Sequence, residues 1–324
     1  MSRNTTTCDV RLKTRLRTIL FVALTLFECN RRDPTDLTGT GLESVVKIPT
    51  NLHRALVENS ISVTSVSQPG IIFGANDSGH ESVIFAFDST GKARGEWKVL
   101  QATDRDWEAG SLGPCRPGDG ATSCVYIGDV GDNDARRSHV TIYRIPEPRV
   151  NPIPDSASQV PAKRLDFRYP DHPHDVEAMY VAPDGALFLI TKRRLLDGNR
   201  RPRPALLYRV PASAWDSSGI VTASLVDSLP IVPGSAANRQ VSDAALSPDG
   251  KRLAVRTYAE VYVFAMDSVS GRPFPNTTPT ACIIHGLREK QGEGIGWWWD
   301  SRRLVLTSEG RNAPLFVVSC SAPA

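Results

Sequence analysis

The chain has 324 residues, of which 40% are hydrophobic and 23% are charged, a composition that supports a large folded core and excludes an intrinsically disordered protein. The formal net charge is +3, and residues 1–32 hold seven basic residues against two acidic ones. The remainder is close to neutral, which excludes the basic surface typical of nucleic-acid-binding proteins.

The N-terminal segment has the features of an export signal. Four basic residues at positions 11–17 precede the apolar run Ile19–Phe27, which is too short to span a bilayer as a helix. We therefore predict a secretory signal peptide over residues 1–28 and a polar tether over residues 29–42. Because Cys29 directly follows this segment, a lipoprotein signal with a lipid anchor at Cys29 is the alternative. Both interpretations predict an extracytoplasmic protein that is periplasmic, secreted or membrane-anchored as a lipoprotein.

A β-hairpin pattern recurs along the rest of the chain. In Asp175–Lys192 a first strand is followed by the turn sequence Pro183-Asp184-Gly185 and by a second, apolar strand. Three further copies contain an acidic residue near their start, and a weaker copy has hydroxyl side chains instead. The five copies begin at Ser60, Asp106, Asp175, Val241 and Gln291.

Further strands are predicted after each hairpin. Third strands are predicted at Val83–Phe87, Val140–Ile145, Leu206–Val210, Val261–Phe264 and Pro314–Val318. Fourth strands are predicted at Glu96–Leu100, Lys163–Tyr169, Leu225–Val232 and Cys282–His285. The last copy has no fourth strand of its own, and Ser44–Ile48 near the N-terminus can supply it.

Repeats of four short strands are typical of propeller blades. The sequence therefore predicts an all-β fold over residues 43–324, a single β-propeller with five four-stranded blades, closed by an N-terminal strand. The long gaps at residues 147–162 and 211–223 leave six blades as the alternative.

Equivalent positions on the first strands carry oxygen-bearing side chains. They are spaced by 46, 69, 66 and 50 residues and are Ser62, Glu108, Glu177, Asp243 and Glu293. Because first strands line the channel of a propeller, these side chains are expected to converge. Carboxylates in a narrow channel repel one another unless a cation intervenes, and oxygen ligands without His or Cys favour Ca²⁺. We predict that these residues hold a calcium ion, with a merely hydrated channel as the alternative.

The ends of the second strands are predicted to lie at the channel mouth. Their carboxylates and cations suit an anionic substrate next to a metal ion. We predict that Asp77 or Asp129 orients an attacking water and that Lys192, Arg136 and Arg256 hold the anion. The alternative is a solvated rim of mutually paired charges.

Four cysteines remain after Cys8 and Cys29 are set aside. Two disulfides, Cys115–Cys124 and Cys282–Cys320, are predicted, in agreement with an oxidising compartment. The His172-Pro173-His174-Asp175 sequence is predicted to be an exposed loop, with metal ligation as the alternative.

The residue order resembles that of the soluble calcium-activated apyrases, over about residues 43 to 324 in blade order. The resemblance rests on Ser62, Glu108, Glu177, Ser242-Asp243, Glu293, Asn76-Asp77 and Lys192-Arg193-Arg194. It implies a five-bladed propeller with one calcium ion in the channel, which hydrolyses extracellular nucleoside di- and triphosphates. Blade four departs from it, since that family uses a serine where Ser242-Asp243 stands, and the Gly128–Asn133 loop lacks the family's lysine.

A looser resemblance links the chain to phytase-like and lactonase-like propellers. These are usually six-bladed, bind calcium in the channel and act on phosphate esters or lactones. Together the residues and resemblances indicate a monomeric, exported, calcium-dependent hydrolase of an anionic, phosphorylated small molecule. The alternative function is a non-catalytic envelope protein that binds a partner and in which calcium is structural.

Overall fold

The inner strands are apolar on both faces, whereas the outer strands alternate between buried and exposed residues. Every residue of Val176–Val181 is buried. In Lys163–Arg168 only Leu165 and Phe167 are buried. A strand that is buried on both faces lies inside the fold, and a strand that alternates has one face in solvent. This pattern orders the strands of each sheet from the centre of the molecule to its periphery.

A computed structural model describes residues 8–9, 28–29, 41–118, 122–150, 158–192, 203–231 and 240–321. Blade 1 contains Val63–Thr64, Ile71–Ala75, Val83–Asp88 and Ala93–Leu100. Blade 2 contains Trp107–Pro114, Ser123–Asp129, Val140–Pro146 and Lys163–Arg168. Blade 3 contains Val176–Val181, Leu187–Thr191, Ala205–Val210 and Ser224–Leu229. Blade 4 contains Val241–Leu246, Arg252–Thr257, Glu260–Asp267 and Thr280–Ile283. Blade 5 contains Gly292–Trp297, Arg303–Ser308, Leu315–Cys320 and Leu42–Ile48.

The fourth strand of blade 5 comes from the start of the described propeller. Leu42–Ile48 pairs antiparallel with Leu315–Cys320, with Val45 opposite Val318. The predicted closure by an N-terminal strand is therefore confirmed. Because both ends of the chain contribute to one blade, the ring is held shut by backbone hydrogen bonds.

The two long gaps in the repeat do not contain a sixth blade. The first supplies Ser158–Pro161, which adds in parallel to the outer strand Ala93–Leu100 of blade 1. The second contains the 3₁₀ helix Ala212–Asp216 and the short strand Val221–Thr222, which adds in parallel to blade 2. Within the described residues the alternative of six blades is therefore wrong, because these segments extend existing sheets. A second short 3₁₀ helix, His285–Leu287, and a two-residue strand, Arg272–Pro273, belong to blade 4 and its exit.

The hydrophobic core lies between adjacent blades. Tyr126 and Leu165 of blade 2 pack in one cluster with Leu187 and Tyr208 of blade 3. Comparable clusters join blades 3 and 4, blades 1 and 2, and blades 5 and 1. Each large apolar side chain buried in this way stabilises the fold by about 1.5–3 kcal/mol. The blades therefore hold their inner strands in fixed positions around the channel.

Both predicted disulfides are present. Cys115 and Cys124 join the ends of the first two strands of blade 2, with Cα atoms 5.0 Å apart. Cys282 of blade 4 bonds to Cys320 of blade 5, with Cα atoms 5.9 Å apart. Such bonds are typical of proteins in oxidising compartments.

Residues Met1–Thr38 form a unit separate from the propeller unit, Gly39–Ala324. In the first unit Cys8–Asp9 pairs antiparallel with Glu28–Cys29. The rest of the predicted signal peptide and most of the predicted tether lie outside the described residues. Over the described ranges no helix is long and apolar enough to cross a membrane.

Candidate functional site

A β-bulge near the start of the first strand presents an acid in blades 2 and 3. In blade 2, Trp107 pairs with Asp129 and Ala109 with Gly128, so Glu108 has no partner across the ladder. Glu177 is skipped in the same way between Val176 and Ala178 of blade 3. A bulge re-aims the side chain of its extra residue and leaves it outside the regular pairing. The acidic residue that recurs in the sequence therefore coincides with a recurring interruption of the strand pairing.

The same bulge in blade 4 falls on Ser242. Val241 pairs with Thr257 and Asp243 with Arg256, which leaves Ser242 at the position equivalent to Glu108. The residue equivalent to Glu108 is therefore Ser242, one residue before the predicted Asp243.

Asp243 instead links two blades. Its side chain is fully buried. One carboxylate oxygen accepts a hydrogen bond from the Ala244 N–H at 2.8 Å, and the other accepts one from the Ile295 N–H of blade 5 at 2.7 Å. Both oxygens are thus used by the backbone.

Blades 5 and 1 complete the ring. Glu293 and Gly294 lie opposite Thr307, again with a shift of register. The Glu293 carboxylate accepts hydrogen bonds from Gln291 Nε2 at 2.6 Å and from the Tyr258 hydroxyl at 3.2 Å. Blade 1 contributes Ser62, which is 2% exposed and directly precedes the strand Val63–Thr64.

Three of the ring carboxylates have raised pKa values. Burial raises the pKa of Glu108 well above its ordinary value, and the charges of Glu177 and Glu293 raise it further. Burial is also the main reason why the pKa of Glu177 and the pKa of Glu293 are raised. The structure therefore brings these three side chains together in a desolvated channel, where their negative charges are costly without a cation.

A second layer of carboxylates lies above Glu108. One oxygen of Asp77, one of Asp106 and one of Glu108 all lie within 4.8 Å of one another. Burial, followed by the charges of Asp77 and Asp175, raises the pKa of Asp106 to about 6. This value places the Asp106 carboxyl near the range in which a general base works at neutral pH.

The loop after the second strand of blade 2 closes against this cluster. A Cβ atom on Gly131 would lie 2.4 Å from the Asp106 carboxylate, so only glycine permits this close approach. Asp132 accepts hydrogen bonds from the backbone N–H groups of Arg136 and Arg137 at 3.0 and 2.8 Å. Its own N–H donates to Asp175 at 2.9 Å, which fixes the loop on blade 3.

The predicted Asp129 is held by an arginine that the sequence did not single out. Asp129 is 2% exposed and forms an ion pair with Arg137 at 2.8 Å. The predicted Arg136 has an 82% exposed side chain and reaches only Asp134, at 3.5 Å. The role of Arg136 as a substrate-binding residue stays a prediction, and its neighbour Arg137 is the arginine that pairs with Asp129.

The other two predicted cations already have anionic partners. The Lys192 ammonium donates to the Glu177 carboxylate and lies 5.8 Å from the centre of the Tyr258 ring. Burial alone would lower the pKa of Lys192, but the negative charge of Glu177 raises it above its ordinary value. Lys192 is therefore the internal counter-ion of the ring.

Arg256 is a structural link rather than a rim cation. It is fully buried and donates to the carbonyl oxygens of Gly294 and Thr307 at 2.7 and 2.9 Å. It also donates to the Glu289 carboxylate. These bonds join blade 4 to blade 5 and leave the guanidinium inaccessible to a substrate, which corrects its predicted role.

Several oxygens of the ring have no hydrogen-bond donor. The Ser62 hydroxyl and one carboxylate oxygen each of Glu177 and Glu293 are buried without a partner. Glu108 is also buried, with 8% of its surface exposed. Buried unpaired oxygens cost about 1–3 kcal/mol each, more when charged. Such a donor set fits a hard divalent cation, which satisfies several oxygens at once.

The opposite end of the channel is chemically different. A cavity of about 610 Å³ lies there, lined mainly by small and hydroxyl-bearing residues such as Thr64, Ser111 and Gly296. Ser62 also lines this cavity, whereas Glu108, Glu177 and Glu293 do not. The charged chemistry is therefore confined to the mouth at which the first strands begin.

Sequence reasoning missed Asp106, Arg137, Tyr258 and Gln291. A signal for the first of these exists, because Asp106-Trp107-Glu108 and Asp175-Val176-Glu177 share an acid two residues before the bulge acid. Gln291 stands at the equivalent position before Glu293, whereas Tyr258 reaches Glu293 from a turn outside the repeated pattern.

Comparison with known proteins finds similar solved structures at low sequence identity only. No protein-family model and no curated protein matches the chain. A luciferin-regenerating enzyme is similar with a TM-score of 0.42 and 10% identity, over 86% of this chain and 98% of that chain. The gluconolactonase XC5397 from Xanthomonas campestris is similar with a TM-score of 0.41 and 13% identity, over 86% and 89%. The β-propeller domain of Myceliophteria thermophila Cps50 (Swd1) is similar with a TM-score of 0.41 and 10% identity, over 86% and 100%. These similarities concern the fold and not the activity, and the resemblance to the apyrases stays a prediction.

Proposed function

We propose that the protein is an exported calcium-dependent hydrolase of a phosphorylated small molecule. The observation that carries this proposal is the set of buried, unpaired oxygens of Ser62, Glu177 and Glu293, together with the buried carboxylate of Glu108. A protein keeps several such groups together at a considerable cost in stability, which a bound cation offsets. Oxygen donors without nitrogen or sulfur favour calcium among the common ions.

In this proposal Ser62, Glu108, Glu177 and Glu293 hold the ion. When bound, calcium supplies Lewis-acid polarisation of a substrate oxygen and a positive charge for an anionic group. That charge is needed because Lys192 and Arg256 are engaged by carboxylates. We assign Asp243 to the connection between blades and not to the ion, since both of its oxygens accept backbone hydrogen bonds.

The carboxylates above the ring provide the acid–base chemistry. Asp106 accepts a proton from the attacking water, because its pKa of about 6 keeps it mostly ionised yet basic at neutral pH. Asp77 lies within reach of the same point and orients the water. Asp129 is held in place by its ion pair with Arg137, and its negative charge acts on Asp106.

Thermal melts of the full chain test calcium binding first, and turnover assays then test hydrolysis. We expect the melting temperature to rise with calcium concentration after removal of metal by a chelator. Glu177→Gln should lose this rise, whereas Glu81→Gln, at an exposed glutamate of blade 1, should keep it. Turnover is then measured on nucleotides, phosphate monoesters and lactones. Normal calcium dependence in Glu177→Gln would contradict the metal site.

A second candidate function is the non-catalytic binding of a partner in the cell envelope, with calcium in a structural role. It is favoured by the engagement of Lys192 and Arg256 in ion pairs, which leaves the mouth acidic rather than suited to an anion. A calcium-dependent melting shift without turnover of any substrate in the panel would support this second function over the first.

A further inference from the structure

The linker from blade 2 to blade 3 brings two imidazoles and a carboxylate together. One ligand atom each of Asp171, His172 and His174 lies within 4.8 Å of the others. His174 Nε2 lies 3.1 Å from each carboxylate oxygen of Asp171, and His172 Nδ1 lies 3.8 Å from one of them. The ring centres of His172 and His174 are 4.2 Å apart. This cluster differs in composition from the oxygen-only ring in the channel, although His174 stands three residues before Glu177 in the sequence.

The inner half of the cluster is rigid. His174 is 8% exposed, with the rings of Tyr169 and Tyr208 each centred 5.0 Å from its own. The Tyr208 hydroxyl lies 2.7 Å from His174 Nε2 and donates to the Asp171 carboxylate at 3.0 Å. These contacts fix the orientation of one imidazole and one carboxylate before any ion binds, which lowers the entropic cost of binding.

The outer half of the cluster is open to solvent. The side chain of His172 is 68% exposed and that of Asp171 is 42% exposed. Hydrogen bonds to Tyr208 account for the positions of Asp171 and His174. The ring of His172 is tilted by 54° against that of His174, and its Nδ1 lies 3.2 Å from the carbonyl oxygen of Pro173. Pro173 stands between the two histidines and restricts the backbone that sets their spacing.

We propose that Asp171, His172 and His174 form a binding site for a borderline transition-metal ion, Zn²⁺ being the reference case. Two imidazole nitrogens and one carboxylate are a ligand set typical of zinc, whereas calcium takes oxygen ligands. The Tyr208 hydroxyl stands beside His174 and the carboxylate as a supporting hydrogen-bond partner. The open side leaves a fourth position for water. The bound ion would tie the linker to the third strand of blade 3 through Tyr208.

Equilibrium dialysis and calorimetry with Zn²⁺ alone test the proposal on the full chain. All proteins carry Cys8→Ser and Cys29→Ser, which removes the two cysteines outside the disulfides as competing ligands. We expect one zinc ion per chain, with affinity reduced at least ~10-fold by His172→Ala. His285→Gln, at an exposed histidine after blade 4, is the matched control and should bind zinc normally. X-ray absorption of the zinc complex should show only nitrogen and oxygen neighbours, with imidazole scattering.

His172 is the residue of choice because its exposed side chain can be removed without disturbing the core. The calcium-dependent melting shift should be unchanged in His172→Ala, so failure of the channel proposal and failure of this one are distinguishable. The proposal is overturned if the parent protein binds no zinc, or if His172→Ala binds zinc as tightly as the His285→Gln control.

Discussion

Replacement of Lys192 by Met removes the counter-ion of the channel. The Lys192 and Glu177 side chains are 13% and 2% exposed and form an ion pair. Loss of one partner of a buried ion pair leaves an uncompensated charge, which costs about 3–5 kcal/mol. Since Lys192 retains some exposure, we expect a loss of about 3 kcal/mol without metal. In a domain of this size this loss corresponds to a fall in melting temperature of ~6–12 °C.

The assay compares urea and thermal unfolding of the parent protein and the variant, first with chelator and then with calcium. Because a bound cation neutralises Glu177 in place of the ammonium, calcium should restore part of the loss. Calcium should therefore stabilise Lys192→Met more than it stabilises the parent. Lys98→Met, at an exposed lysine of blade 1, controls for the loss of a surface charge. A loss below about 1 kcal/mol, or equal calcium responses in the two proteins, would refute the reasoning.

Three further outcomes are expected. Burial raises the pKa of Asp106 from 3.8 to about 6, so the folded state binds this proton more tightly than the unfolded state. The metal-free protein should therefore gain stability as pH falls from about 7 to 4, and melts of Asp106→Asn should show a smaller gain. Replacing Cys282 and Cys320 by Ala removes a cross-link over a separation of 38 residues. This should cost about 4 kcal/mol in urea unfolding, and an unchanged midpoint would exclude a stabilising role. Asp243→Asn should cost about 2–3 kcal/mol, because one of two buried backbone donors loses its acceptor. A retained stability with a lost calcium shift would instead identify Asp243 as an ion ligand.

The sequence predicted the blade order because each blade is local. Alternating apolar residues and the Pro-Asp-Gly turn at residues 183–185 mark a hairpin within a few residues, so repetition alone gives the five-bladed ring. The closing strand was predictable for a related reason, since the last repeat lacked its fourth strand and an unassigned strand pattern remained at Ser44–Ile48.

The channel positions were predictable only to within one residue. A β-bulge shifts the register without changing the apolar pattern around it, so the alternation does not distinguish Ser242 from Asp243. The sequence also does not show which of Arg136 and Arg137 pairs with Asp129. Adjacent residues on a loop point in different directions, and that direction depends on the hydrogen bonds of Asp132.

Partners from distant blades were beyond the reach of the sequence. Arg256 has the local context of a rim cation, but its burial depends on Glu289 and on two carbonyl groups of blade 5. Lys192 and Glu177 differ from this case, because they meet within one repeat, where the second strand of blade 3 ends beside the start of the first. The closed ring therefore decides the partners of Arg256, whereas a single hairpin decides those of Lys192.

The closing strand has a consequence for biosynthesis. Leu42–Ile48 emerges from the ribosome before any blade, and its partner Leu315–Cys320 emerges after all the others. The pairing that closes the ring therefore cannot form until the last blade has been synthesised, and it joins strands that are far apart in the sequence. A circular permutant that carries residues 41–48 after residue 321 would present the strands of blade 5 in consecutive order. Such a chain should complete its last blade faster than the natural one while reaching the same ring.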